Sequence, residues 1–279
     1  MTPAAATSIS TSSPATAGSG TSDHSSTSGP PDSRIVTART PSTVPSGLRV
    51  RPAPRARGWL DSAPVETVDR RDTPRGELVL RRDPDTGRYE IISNGTFLMD
   101  TSDGRSERLL ITAALDAAPA PYRVLIGGLG VGFSLNQAVT DPRPTAVTVL
   151  EREPAVVDWQ RAHLAPFSGH ALDDPRVRVV VDDLVTWAGT ATGEYDAICL
   201  DIDNGPEWTV VDSNAALYTV DGLTALRRLL SPRGVLAVWS AAAAPTFRQR
   251  LAELYGSVAV HEIPVPRGEP DVVYLATRS

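Results

Sequence analysis

The run VLIGGLGVG at residues 124–132 constrains this 279-residue chain more than any other stretch. Small β-forming residues lead into Gly127 and Gly128, after which Gly130 and Gly132 alternate with Leu129 and Val131. A buried strand ending in alternating glycines lets the backbone turn sharply and come close to a ligand, since no Cβ bars the approach. Glu151 closes a second β-rich run, residues 146–150. An acid at the tip of that strand can accept both hydroxyls of a ribose. The two features together predict a nucleoside-bearing cofactor on a doubly wound sheet. A dinucleotide turn reads G-x-G-x-x-G, its third glycine letting the helix pack on the strand. Gly128 and Gly130 fit that pattern, but Phe133 takes the third place. The spacing found, G-x-G-x-G, suits a nucleoside without a pyrophosphate, such as S-adenosylmethionine.

Composition narrows the classes. Hydrophobic residues make up 41% of the chain and charged residues 22%, ordinary values for a globular protein. A net charge of −6 argues against a surface built to hold phosphate backbones, so nucleic acid is not an expected partner. No apolar run approaches the ~20 residues needed to cross a bilayer. The single cysteine, Cys199, excludes an intrachain disulfide and a cysteine-based zinc site, and it falls in an apolar strand pattern as a small core residue. No secretory leader is apparent, which makes the cytoplasm the expected location. His163, His170 and His261 fall on different elements and His24 in the N-terminal tail, so no metal cluster is expected.

Residues 1–48 are dominated by Ser, Thr, Ala, Pro and Gly and are expected to be disordered, having too little apolar area to offset ordering. Residues 49–75, with Arg49, Arg51, Arg55 and Arg57, read as an Arg/Pro-rich linker. Residues 76–105 then hold three short strand patterns, 77–82, 88–92 and 96–100, separated by turn signals at 83–87 and 94–95. They predict a small antiparallel sheet. A helix follows at 106–115.

From residue 106 onward the chain is expected to form one Rossmann-like α/β domain. Strands are predicted at 123–127, 146–150, 177–181, 196–201, 234–239, 257–262 and 271–276. Helices are predicted at 132–139, 154–163, 214–230 and 245–254, with a weaker turn near 184–188. Only a loop separates the last two strands, which should therefore pair antiparallel. A mostly parallel sheet ending in one hairpin is the architecture of class I methyltransferases.

Ligands of such sheets sit at the carboxyl ends of the strands. The cofactor candidates are therefore Gly128, Gly130, Gly132, Glu151, Asp182 and Asp183, the last pair able to accept the exocyclic amine of an adenine. The fourth strand end, LDIDNGPEW at 200–208, delivers Asp201, Asp203 and Asn204 beside the expected sulfonium. Transfer from a sulfonium needs an in-line approach and a neutral nucleophile. Asp201 and Asp203 are the catalytic candidates, Asp201 to orient that nucleophile or take its proton. A helix cap or buried ion pair is the competing reading of Asp201. Trp208 and Tyr218 are candidates for the acceptor pocket wall, although both also suit a core.

These motifs resemble the spermidine synthase family of aminopropyltransferases over about residues 76–276. SNGTFLMDTSDGRSERLL resembles the family's passage from its small sheet into the first helix. VLIGGLGVG, VTVLERE, VVVDD, YDAICLDIDNGP and LLSPRGVLAVWS match its successive motifs in order. The resemblance implies a homodimer or larger assembly. It also implies a substrate-side role for Glu107 and Asn204. Three positions depart from the pattern. Val131 stands where the family's G-G-G-D-G has its aspartate, which in the family favours the decarboxylated donor. Asn204 takes the place of the second acid of D-x-x-D-P, with Asp203 beside it. Arg105-Ser106 replace a Tyr-His pair before Glu107.

The sequence is accordingly read as a spermidine synthase-like transferase with an adenosyl sulfonium donor and a small-molecule acceptor. From these three departures, with the nucleoside-binding features kept, S-adenosylmethionine-dependent methyl transfer to a small amine or other metabolite is the first expectation. Aminopropyl transfer from decarboxylated S-adenosylmethionine is the alternative, and a non-catalytic nucleoside-binding protein a second one.

Overall fold

A computed structural model describes residues 64–120 and 122–279. The tail expected at 1–48 and most of the linker lie outside the described residues.

Two sheets organise the chain. The first has four antiparallel strands in sequence order: β1 (Glu66–Thr73), β2 (Gly76–Arg82), β3 (Tyr89–Ser93) and β4 (Thr96–Asp100). β1 is one strand more than the sequence predicts, and it shortens the expected linker. Its sequence ETVDRRDT has no apolar alternation, because only β2 borders it and its faces stay largely exposed. Side-chain contacts hold it instead. Trp159 Nε1 donates to Asp69 Oδ2 at 2.8 Å, and Arg70 pairs with Glu77.

After α1 (Arg105–Ala117) comes the large sheet, built from β5 (Tyr122–Gly127), β6 (Pro144–Glu151), β7 (Val177–Val181), β8 (Tyr195–Leu200), β9 (Leu230–Ser240), β10 (Val258–Ile263) and β11 (Asp271–Thr277). Its order is β10-β11-β9-β8-β5-β6-β7. Neighbours among β5 to β9 pair parallel, and β11 runs antiparallel to both β9 and β10. This is the expected methyltransferase-like architecture. The intervening helices are α2 (Phe133–Thr140), α3 (Pro154–Ala162), α4 (Leu184–Thr190), α5 (Val220–Leu229) and α6 (Pro245–Tyr255).

Leu125, Ile126, Ile198 and Leu200 at the sheet centre are fully buried, each contributing roughly 1.5–3 kcal/mol of burial. One continuous core joins the small sheet, through Leu78, Leu80 and Ile91, to α1 and Trp159.

Two predicted elements change form. The single helix expected at 214–230 is a 3-10 turn, Asp212–Tyr218, followed by α5, because Thr219 breaks the ladder and caps α5 by accepting from Gly222 N at 3.2 Å. The turn expected near 184–188 is the helix α4, which Asp183 caps by accepting from Val185 N at 2.9 Å and Thr186 N at 3.3 Å. Among the described residues, no helix is long and apolar enough to cross a membrane.

Candidate active site

The ends of β6, β5 and β8 are stitched together at the sheet's switch point. Gly128 N donates to Leu150 O at 2.8 Å, and Asp201 N to Gly127 O at 2.9 Å. Gly128 has φ +90°, and a Cβ there would lie 2.1 Å from the Asp201 carbonyl oxygen. No side chain is tolerated at that place. Gly130, at φ +47°, lies under the sulfur of Met99 from β4, which accepts a 3.3 Å contact from Val131 N. The small sheet thus roofs the glycine turn.

A cavity of about 170 Å³ opens over these strand ends. Gly128, Gly130, Glu151, Asp182 and Asp183 border it on the predicted cofactor side, and Asp201, Asp203 and Glu107 on the predicted acceptor side. Glu151 is held rigidly, its Oε2 accepting from Leu129 N at 2.9 Å and its Oε1 from Glu153 N at 2.8 Å. Burial nonetheless raises its proton affinity. Asp183 borders the cavity while capping α4, which fixes its carboxylate.

Four expected site residues lie off this wall. Gly132 is the left-handed residue that starts α2 and packs on Gln160 and Ser168, so its role is to turn the chain. Trp208 is 61% exposed. Tyr218 is a core residue packed edge-on against Phe247, its hydroxyl donating to Ile202 O at 3.4 Å. Asn204 meets β9 through its backbone, where Ala241 N donates to its carbonyl at 3.0 Å. Gly205 forces that course, because a Cβ on it would strike Ser240.

Several bordering residues have no signal in the local sequence. Arg75, in the turn between β1 and β2, donates to Glu153 Oε1 at 2.6 Å and to Arg152 O at 2.9 Å, pinning the small sheet over the cavity rim. Asn214 donates to Asp203 Oδ2 at 2.8 Å and is itself met by Arg152 at 3.4 Å. Trp239 on β9 closes part of the wall.

The acids on the acceptor side are unusual. Asp201 Oδ2 accepts from Ser134 Oγ at 2.6 Å, which partly offsets the upward push of burial on its pKa. Glu107 at the start of α1 is 8% exposed, and burial, reinforced by the charge of Asp201, pushes its pKa up to about 8. Neither carboxylate has a salt bridge among the described residues. Such a site attracts a cation or a proton and repels a second anion.

Comparison with known proteins agrees with this fold. The crystal structure of a spermidine synthase in complex with the transition-state analogue AdoDATO superposes with a TM-score of 0.65 at 18% identity, covering 76% of this chain and 74% of that one. The spermidine synthase of Thermotoga maritima gives a TM-score of 0.63 at 18% identity, covering 76% and 73%. Among curated proteins, the polyamine aminopropyltransferase of Mycobacterium tuberculosis H37Rv is 28% identical over 165 residues, 58% of this chain and 30% of that protein. Polyamine aminopropyltransferase of Pyrobaculum calidifontis is 28% identical over 167 residues, 59% of this chain and 57% of its own length. The chain thus spans less than a third of the mycobacterial relative and little more than half of the archaeal one. The model of the Spermine/spermidine synthase domain matches residues 105–252, more than half of the chain and the part that carries α1, the glycine turn and the acidic loop. The chain belongs to the spermine/spermidine synthase domain family.

Proposed function

We propose that this protein transfers an aminopropyl group from decarboxylated S-adenosylmethionine to an amine. The observation that carries the reading is the pair Glu107 and Asp201 at the acceptor side of the cavity, buried or enclosed and without a basic partner. A donor bearing its own carboxylate would bring a further anion against these acids, whereas a decarboxylated donor brings an ammonium that favours their charged forms. The bare backbone at Gly128 and Gly130 and the fixed carboxylate of Glu151 fit an adenosine moiety.

This replaces the first sequence expectation, methyl transfer, which finds no support in the comparisons. That expectation rested on three departures from the family pattern; the one that concerns the donor carboxylate, Val131, has its side chain fully buried in the core and absent from the cavity wall. Selection against a donor carboxylate falls to Glu107 and Asp201 instead. The polyamine aminopropyltransferases among the relatives favour the same alternative.

When bound, the donor supplies a sulfonium carbon whose C–S bond breaks, the electron pair staying on sulfur, as the acceptor nitrogen forms the new C–N bond. In this reading Asp201 receives the proton that this nitrogen loses. Its raised proton affinity brings it nearer to neutrality than an ordinary aspartate. Ser134 fixes the direction of its carboxylate. Glu151 and the glycine turn hold the nucleoside, and Met99 and Arg75 keep the roof closed over it. Calorimetry with both donors tests the reading. Tighter binding of the decarboxylated form by about tenfold or more is expected, and equal or tighter binding of the intact form would overturn it.

A further inference from the structure

Asp203 borders the cavity two residues beyond Asp201, yet its carboxylate is bound by the loop that follows it. Its backbone lies in the left-handed region at φ +53°, which an aspartate tolerates better than most side chains. Gly205 follows at φ +115°, so two residues of positive φ fall within three positions and the chain turns sharply as it leaves β8.

The turn is closed by Asn214 of the 3-10 turn, which is 7% exposed and whose Nδ2 donates to Asp203 Oδ2 at 2.8 Å. The other end of that amide, Oδ1, accepts from Arg152 Nη1 at 3.4 Å, and the same Nη1 lies 3.7 Å from Asp183. Asn214 therefore ties the acidic loop to the end of β6, where the nucleoside candidates lie. Its backbone N also donates to Val211 O at 2.9 Å. Val210 and Val211 border the cavity together with Arg152 and Asp183. On the outer side the segment is held by Ala241 N donating to Asn204 O at 3.0 Å and by Phe247 N donating to Glu207 Oε1 at 3.1 Å. The Asn214 bond, the charge of Arg152 and the Val211 amide all favour a charged Asp203 against the upward push of burial.

We propose that Asp203 is a positioning residue, which through Asn214 fastens segment 204–213 so that Val210 and Val211 wall the nucleoside end of the cavity. The proposal rests on the reading of the cavity as a nucleoside site. Asp203 thus serves donor binding through its neighbours, while Asp201 serves the reacting nitrogen.

The test is calorimetry on the full chain with methylthioadenosine, the by-product of aminopropyl transfer. Asp203→Gly is at ease at positive φ but has no carboxylate, so it isolates the bond from the backbone. It and Asn214→Ala should each weaken binding by about tenfold, and the double variant should be no weaker than either single one. Asp203→Asn tolerates the same φ and keeps an oxygen for Asn214 to bond, so it should recover affinity to within about threefold of the wild type. In turnover, Asp203→Gly should act on the donor KM, whereas Asp201→Asn should act on kcat. Wild-type affinity in Asp203→Gly, an Asp203→Asn variant as weak as Asp203→Gly, additive losses in the double variant, or a kcat loss in Asp203→Gly as large as that in Asp201→Asn would each overturn the proposal. A wild type that does not bind methylthioadenosine would overturn the nucleoside reading and the proposal with it. A wild type that binds it but forms no aminopropylated product would overturn the transferase reading alone, and the calorimetric comparison would still decide the role of Asp203.

Discussion

Ser134 Oγ donates a 2.6 Å hydrogen bond to Oδ2 of Asp201, joining the start of α2 to the acidic loop after β8. The bond stabilises the charged carboxylate against the cost of its burial. Ser134→Ala should therefore raise the proton affinity of Asp201 further. The acid limb of the kcat/KM profile should move upward by about one pH unit, the value of a hydrogen bond to a charged group. An unmoved limb would remove Asp201 as the titrating base.

Glu107 gives a stability prediction of definite sign. Its pKa is raised in the folded state, from 4.5 to about 8, so folding takes up a proton between these values and stability falls as pH rises through them. Below about 4.5 the residue is protonated in both states and contributes nothing. Glu107→Gln removes the penalty. It should stabilise the protein by on the order of 2–4 kcal/mol at pH 9 and have little effect at pH 4, read as thermal unfolding at both. Equal effects at the two pH values would contradict the assigned environment.

The glycine turn separates two kinds of constraint. At Gly128 an added Cβ meets backbone, the Asp201 carbonyl at 2.1 Å, so Gly128→Ala should abolish donor binding and cost stability. At Gly130 it meets the end of a flexible side chain, Met99 Sδ at 2.3 Å. Gly130→Ala should cost about 1–3 kcal/mol from the positive φ and the clash. Adding Met99→Ala should restore part of the donor affinity in Gly130→Ala and none in Gly128→Ala. Calorimetry with methylthioadenosine reads both, and identical behaviour of the two pairs would sink the distinction.

The small sheet is fastened to the rim by Arg75, whose guanidinium is partly exposed and whose partner Glu153 is buried. Arg75→Ala should weaken nucleoside binding by about three- to tenfold while leaving the melting temperature within a few degrees. Unchanged affinity would mean that the roof closes without this contact.

Where burial is strong, the sequence was legible. The strands expected at 123–127 and 271–276 appear within a residue of their observed ends, because continuous runs such as VLI and VVYLA have one buried solution in a sheet covered on both faces. The glycine turn, Glu151 and Asp201 were legible for the same reason, lying at the ends of those runs. β1 was not, since its order comes from Trp159 and a neighbouring strand rather than from its own pattern. The break at Thr219 was hidden because a 3-10 turn and a helix share an apolar spacing close enough to read as one. Tyr218 looked like a pocket wall and is core, since its distance from Asp201 along the chain says nothing about which way the ring faces. The hydrogen bond from Ser106 to Asp271 had no sequence signal, because the insertion of β11 between β9 and β10 makes it across 165 residues.

The most direct measurement is product identification by mass spectrometry after incubating the purified protein with each donor and a set of amines. The account predicts methylthioadenosine and an amine enlarged by one aminopropyl group with the decarboxylated donor, both lost in Asp201→Asn. Methylated amine and S-adenosylhomocysteine from the intact donor, with the decarboxylated one inert, would contradict it.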